Sequence, residues 1–506
     1  MGNKKTKYNH SATYACHEYT KYRISGGDER IEQIEVESLN KEEFYQRYVK
    51  PRKPVKFSDC IKEIDINDFR IDRLAGLLGY DGKLKVEKRY KGGFGSNLER
   101  VRMGLDELVE KFDKGEADYY LTTQYEDDDD DSDGSCDLDK ESGEDNKEEK
   151  KEVGDSEEDD GENEFEEEHA EPLFQQDDGS ESDSSFGSID MSNLQDDFEE
   201  ENSDNEMDEE EIRDRIRQLF QPPLTNMYNK LPHTPSLLSM LIPQQINIWM
   251  GYSKPSQKPQ NLGDLSSKYI PGNGSSSGLH HDHADNLYIL VSGSKRFTLF
   301  SPYDADKLST VGTIYRVYNS GVIDYYRDEN APSWSHIRED GAMVREVARW
   351  QLAHKDVDPD TKEELLTIIN KQESKFDHQP TNPPSFSHIP PVLLHLDELN
   401  AHERLELIEF SNTHFPGFLD TPRLTVWLKP GEMLYLPTGW FHEVSSFGSD
   451  TVAENKDNVH IALNYWFIPP SGDSLSSVYQ DTYWHDDFEK SKQAIDLATR
   501  GSVKID

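Results

Sequence analysis

Residues 126–211 hold 42 acidic side chains against 4 lysines, a net charge of −38 in 86 positions. Large apolar residues are so sparse there that burial cannot offset the entropy of ordering the backbone. A packed domain must therefore be assembled from the two flanks, and the segment between them is expected to be a long disordered acidic insert. The 506-residue chain carries −46 in all, so the flanks together carry only −8, an ordinary globular balance.

That balance excludes several functions. Phosphate contacts need clustered Lys and Arg, which the chain lacks, so direct nucleic-acid binding is not expected. No apolar run reaches the ~20 residues of a membrane-spanning helix, and residues 1–6 lack the apolar core of a secretory signal. The three cysteines, Cys16, Cys60 and Cys136, lie too far apart for a disulfide framework or a zinc finger. The expected compartment is cytoplasmic or nuclear. Gly2 and Thr6 fit the loose N-myristoylation pattern. Ser156 and the serines at 182–185 sit in acidic surroundings that acidophilic kinases favour.

Residues 1–30 read as a polar, mobile tail. The first part of the fold (31–125) offers a short amphipathic helix at 41–49, a buried strand around Val55 and Phe57, a helix over 101–112 and a strand at 119–125. The second part (212–488) opens with a helix stopped by Pro222-Pro223. A Pro/Gly/Ser-rich stretch, 254–277, is expected to be a mobile loop. Short strands with tight turns follow over 279–300 and 424–468, with a helical insert about 341–372 between them. Residues 474–498 are amphipathic, with a stretch near Trp484 suited to a homodimer surface, and 489–506 form a C-terminal tail. The class is mainly β with flanking helices (α+β), around a barrel or jelly roll.

The densest chemical signal is Leu279-His280-His281-Asp282-His283-Ala284-Asp285-Asn286. On a strand the side chains alternate, so His280 and Asp282 share one face while His281 and His283 share the other. Far downstream, His442 follows an apolar strand and a Pro-Thr-Gly turn. Two histidines and a carboxylate on one barrel face form the facial set that leaves open positions on non-haem Fe(II), which an oxygenase requires. After the triplet, a strand, a Ser-Gly-Ser turn and a return strand fold Lys295 back beside His280, where its ammonium would meet an anionic ligand of the metal. Blander readings stand beside this one. The histidines can be hydrogen-bonded strand residues, Lys295 can be an exposed lysine next to Arg296, and His281 with His283 can be half of a structural zinc site whose other ligands are missing.

His280-x-Asp282, Asn286, Gly293-x-Lys295, Gly431-Glu-x-Leu-Tyr-Leu-Pro-x-x-Trp-x-His442 and Ala462-Leu-Asn464-Tyr-Trp466 together resemble, in order and local spacing, the JmjC (cupin-like) Fe(II)- and 2-oxoglutarate-dependent oxygenases. The closest likeness is to the small single-domain JmjC lysyl hydroxylases. The resemblance implies a double-stranded β-helix (jelly roll, cupin) core, with iron bound by the catalytic trio His280, Asp282 and His442. It implies that Lys295 pairs with the distal carboxylate of 2-oxoglutarate, with Tyr120 as hydroxyl partner and Ser277 where the family usually has a threonine. Asn286 and Asn464 would sit near the iron-binding end. Trp440, Phe441, Tyr288 and Trp466 would shape the pocket, or simply pack. The implied reaction is hydroxylation of a protein side chain, lysine above all, with O2 consumed and succinate and CO2 released. The implied substrate is a translation-associated GTP-binding protein. Demethylation of histone lysine is one alternative, and three cysteines cannot build the zinc-bound reader modules that accompany it. The other is a non-catalytic protein whose acidic insert binds basic partners, although a solvated charge run is the commoner case.

Overall fold

The computed structural model describes residues 16–26, 29–91, 93–95, 99–124, 207–254, 258–272, 274–371, 382–448, 458–501 and 505. Gly2, the serines at 156 and 182–185, Tyr125 and the acidic stretch up to residue 206 lie outside them.

Before the acidic stretch come strands β1 (Cys16–His17), β2 (Gln33–Ile34), β3 (Val55–Phe57), β4 (Leu84–Lys88), β5 (Arg100–Met103) and β6 (Tyr119–Leu121), with helices α1 (Lys41–Phe44), α2 (Ile71–Leu78) and α3 (Leu105–Asp113). After it come helix α4 (Glu209–Leu219) and strands β7 (Pro243–Tyr252), β8 (Ser275–Ser276), β9 (Asp285–Ser292), β10 (Ser294–Phe300), β11 (Ile314–Val317) and β12 (Ile323–Tyr325). Helices α5 (Val344–His354), α6 (Pro359–Ile369) and α7 (Ala401–His414) lead to β13 (Leu424–Leu428), β14 (Met433–Leu436), β15 (Phe441–Phe447), β16 (Val459–Phe467) and the closing helix α8 (Tyr483–Thr499).

Two sheets face each other. The larger has the order β2-β3-β14-β9-β16-β7-β6-β4-β5, the smaller β13-β10-β15-β8, and β1-β11-β12 form a third at the side. Strand alternation sets what each face does. In β16, Val459, Ile461, Leu463, Tyr465 and Phe467 pack into the core beneath the helices, while Ala462 packs into a second core between the sheets. β9 repeats the pattern, with Leu287, Ile289 and Val291 outward and Tyr288 and Leu290 inward. Both faces are buried, so these strands read as nearly continuous apolar runs. The result is the expected mainly-β, helix-flanked jelly roll of the cupin type.

Several boundaries differ from the sequence reading. The N-terminal segment is no tail from Cys16 onward: β1 pairs in parallel with β11, and Tyr19 and Ile24 are buried. Residues 100–103 form a strand paired with β4, not the start of a helix, and α3 begins after Gly104. Helix α4 starts inside the expected insert, before 211, because Asp208 caps it through the backbone N–H groups of Glu210 and Glu211. Acids in that first turn suit the positive end of the helix. At the other edge the Gln124 amide bonds the backbone of Lys85, accepting from N–H at 2.7 Å and donating to the carbonyl at 3.0 Å. The stretch expected to be a mobile loop contributes buried Lys268, Ile270 and β8. Residues 489–499 continue α8 rather than forming a tail, and Trp484 itself is buried against Tyr483. Among the described residues no helix is long and apolar enough to cross a membrane.

Candidate metal centre and co-substrate pocket

The two candidate histidines are neighbours across an isolated antiparallel bridge: His280 N–H donates to the His442 carbonyl at 3.0 Å, and His442 N–H to the His280 carbonyl at 2.7 Å. Directly opposed residues bring their side chains together, and the ring centroids lie 4.4 Å apart. Asp282 completes the set. One ligand atom from each of His280, Asp282 and His442 lies within 4.8 Å of the others, and His442 Nε2 is 3.7 Å from Asp282 Oδ2.

The hydrogen bonds fix which nitrogen faces the set. His280 Nδ1 is 3.0 Å from the Gly278 carbonyl and His442 Nδ1 is 2.9 Å from the Trp440 carbonyl. A carbonyl can only accept, so both Nδ1 atoms carry the proton and both Nε2 lone pairs are left for a metal. Burial, reinforced by the neighbouring His442, holds the His280 imidazole well below its ordinary pKa, which keeps it neutral. Burial pushes the Asp282 carboxyl up, against the pull of His442 and a hydrogen bond from Asn286. A divalent cation would relieve that desolvated carboxylate, so this donor set fits one.

His281 and His283 turn elsewhere. His281 Nε2 is 2.5 Å from the Tyr325 hydroxyl and His283 Nε2 is 3.1 Å from the Ile323 carbonyl, tying the turn to β12. Neither joins a metal-ligating group among the described residues.

The hairpin register places Lys295 opposite Ser446 and Leu428 rather than beside His280. Its Nζ is 2.6 Å from the Ser446 hydroxyl, 3.3 Å from the Tyr120 hydroxyl and 3.3 Å from His460 Nδ1. Among the described residues no carboxylate is within ion-pair distance, and burial lowers its pKa to about 7. A buried ammonium with uncharged partners calls for an anion. Tyr120, Ser446, Asn286 and Asn464 line the same cavity as the histidine–carboxylate set, a cavity of roughly 120 Å³. At about 30 Å³ per water that is room for about four waters, the scale of a small organic ligand.

The other expected residues divide. The Ser277 hydroxyl lines the cavity but bonds backbone, donating to the Gly278 carbonyl at 2.8 Å and accepting from Val444 N–H at 3.0 Å. Asn464 Oδ1 accepts from Trp249 Nε1 at 2.8 Å, which leaves its N–H groups as donors. Tyr288 and Trp466 line the cavity. Trp440 instead donates to the Arg52 carbonyl at 3.1 Å, and Phe441 packs on His281.

Sequence reasoning missed Ser446, His460, Phe94 and Phe386. Ser446 was reachable, since it shares the inward face of β15 with His442, and His460 likewise shares the inward face of β16 with Asn464. Phe94 stacks on Tyr120 at 4.7 Å and Phe386 on His280 at 4.8 Å. Both sit on loops, and no periodicity announces them.

A family model for the cupin-like domain matches residues 41–473. JmjC domain-containing protein 4 of Schizosaccharomyces pombe is 24% identical over 89% of this chain and 87% of its own. The chain belongs to the cupin-like JmjC family. Two Arabidopsis thaliana proteins are similar over shorter spans. Lysine-specific demethylase JMJ32 is 26% identical over 44% of this chain and 42% of its own, and arginine-specific demethylase JMJ20 is 36% identical over 15% of each. The JmjC domain, an oxygenase fold by class, thus spans every strand that bears a site residue, from β6 to β16.

Proposed function

We propose that this JmjC oxygenase binds Fe(II) through His280, Asp282 and His442 and 2-oxoglutarate against Lys295, and that it hydroxylates a lysine side chain of a protein. The observation that carries the reading is one cavity that holds the histidine and carboxylate set and is lined also by Tyr120 and Ser446, the two hydroxyls that contact the buried Lys295 amine behind them. A ligand that chelates at one end and bears a carboxylate at the other answers both. Fe(II) with 2-oxoglutarate and O2 supplies, when bound, the oxidising power to put one hydroxyl on an unactivated C–H bond, with succinate and CO2 released.

The protein's own groups hold and orient. The Gly278 and Trp440 carbonyls keep the imidazoles from turning. Lys295, Tyr120 and Ser446 offer one ammonium and two hydroxyls to a distal carboxylate. The rings of Phe94, Tyr120, Trp249 and Phe386 exclude water and suit the aliphatic stem and cationic head of a lysine.

Demethylation of methyl-lysine is the second reading, favoured by the likeness to a protein named as a lysine-specific demethylase. Three cysteines, too few for a zinc-bound reader, favour unmodified lysine. A translation-associated GTP-binding protein is the first substrate to try and a histone the second, in cytoplasm or nucleus. Basic proteins at the acidic stretch and a homodimer remain partner proposals. The test incubates the protein with Fe(II), 2-oxoglutarate and lysine peptides, unmethylated and methylated, and weighs the products. Gain of one oxygen on unmodified lysine supports hydroxylation, and loss of a methyl group supports demethylation. No succinate under any condition refutes both.

A further inference from the structure

We infer that Arg52 and Asp285 form a clamp that sets the positions of two metal ligands from outside the pocket; this rests on the metal-centre reading of His280, Asp282 and His442. Asp285 opens β9 three residues after Asp282 and is fully buried. Each of its oxygens accepts twice. Oδ2 receives Arg52 Nη1 at 2.9 Å and the Tyr435 hydroxyl at 2.5 Å. Oδ1 receives Arg52 Nη2 and the backbone N–H of Thr438, the latter at 2.9 Å. The carboxylate's lone pairs are thus all taken. Arg52, also buried, donates Nε–H to the Ser320 carbonyl at 2.7 Å.

These bonds join the segments that carry ligands. The Asp282 carbonyl accepts from the Thr438 hydroxyl at 3.1 Å and from Gly439 N–H at 2.9 Å. Asp282 therefore hangs from the turn that Asp285 holds. Trp440 follows in that turn; its indole N–H donates to the Arg52 carbonyl at 3.1 Å, and its own carbonyl receives His442 Nδ1–H at 2.9 Å. His442 is therefore oriented by a residue that Arg52 holds. The turn has no slack. A Cβ on Gly439 would stand 1.8 Å from the Gly321 carbonyl oxygen, and one on Gly321 would stand 2.4 Å from that of Thr438.

Neither Arg52, Asp285 nor Tyr435 lines the metal pocket, so they are positioning residues. A buried ion pair adds little net stability over apolar packing, whereas the two-pronged guanidinium–carboxylate contact fixes geometry. Geometry is what a metal centre needs from its surroundings.

The test reads metal directly, by Co(II) titration of the full chain through its visible d–d absorption, alongside the unfolding midpoint of the metal-free protein. His442→Ala serves as the blank. Arg338→Lys is the control, since Arg338 also pairs with carboxylates, Asp340 and Asp481, but touches no ligand segment. Arg52→Lys and Tyr435→Phe should each weaken Co(II) by about 10- to 100-fold and change its spectrum, while Arg338→Lys lowers the midpoint alone. Variants of Arg52 or Tyr435 that lose stability yet bind Co(II) with wild-type affinity and spectrum overturn the clamp. Should Arg52→Lys not fold, Tyr435→Phe, lacking a single hydroxyl, decides on the same readout. A wild-type protein with no band above the blank overturns the metal centre and, with it, the clamp.

Discussion

Replacing Lys295 with methionine should stabilise the protein in the absence of 2-oxoglutarate, and the gain should shrink as pH rises. Burial takes this ammonium from an ordinary 10.5 to about 7. The unfolded chain keeps the proton up to 10.5, whereas the folded chain releases it at about 7. Between those values the unfolded state holds more protons, so wild-type stability rises with pH. At ~1.4 kcal/mol per pH unit the full gap corresponds to about 5 kcal/mol below pH 7, and to about 2 kcal/mol at pH 9. Losing the bond to Ser446 returns about 1 kcal/mol, and an unbranched side chain of similar volume costs under ~1.5 kcal/mol. The net gain below pH 7 is then about 2–3 kcal/mol, falling to about zero at pH 9. Urea unfolding of both proteins at pH 6 and pH 9 measures it. A variant less stable than wild type at pH 6, or one whose difference from wild type does not change with pH, refutes the reasoning. Calorimetry supplies the converse. Only the charged form attracts a carboxylate, so wild type should take up nearly one proton per 2-oxoglutarate at pH 8, and the variant should bind about 100-fold more weakly or worse.

Three further outcomes are expected. His283→Gln should leave one Co(II) per chain with an unaltered spectrum, because that imidazole faces Trp334 and the Ile323 carbonyl; loss of the band would put it in the ligand set. Deleting residues 127–206 should leave the unfolding midpoint and Co(II) affinity unchanged, while deleting 126–211 should cost about 1 kcal/mol more through the lost Asp208 cap, and equal midpoints would contradict this. Truncation through Ile24 removes buried Tyr19 and Ile24 and should cost at least about 4 kcal/mol in urea unfolding; an unchanged midpoint would make the segment the tail that its composition suggests.

What was legible in the sequence depended on range. His280 and Asp282 were visible because their i, i+2 spacing would share one face of a strand; the structure instead places them just before β9, with His280 held by an isolated bridge to His442, and they converge all the same. Lys295 was visible through a tight turn, but its neighbour was misjudged: a hairpin fixes which face a residue takes, not which third strand lies across from it, and β15 brought Ser446 there. β1 could not be read, since two polar residues gain their strand character from β11, some three hundred positions away. Residues 100–103 failed differently. Val101, Leu105 and Leu108 continue a helical spacing, and only pairing with β4 overrides it. Lys268 lay in a Pro/Gly/Ser-rich stretch whose composition says loop, and its burial, with a pKa drawn down to about 8, is decided by Phe94 and Phe386. Hydroxyls and loop aromatics carry no pattern, so most of the pocket wall was unreadable.

The Gln124 amide, latched onto Lys85 by two bonds, sits four residues past Tyr120. It works like the strain-relief knot where a cable enters a housing. A pull on the acidic stretch from a partner, a modification or a change of length would load that latch before reaching the phenol that touches Lys295. Lengthening or decorating the stretch should then leave the Tyr120–Lys295 contact as it is.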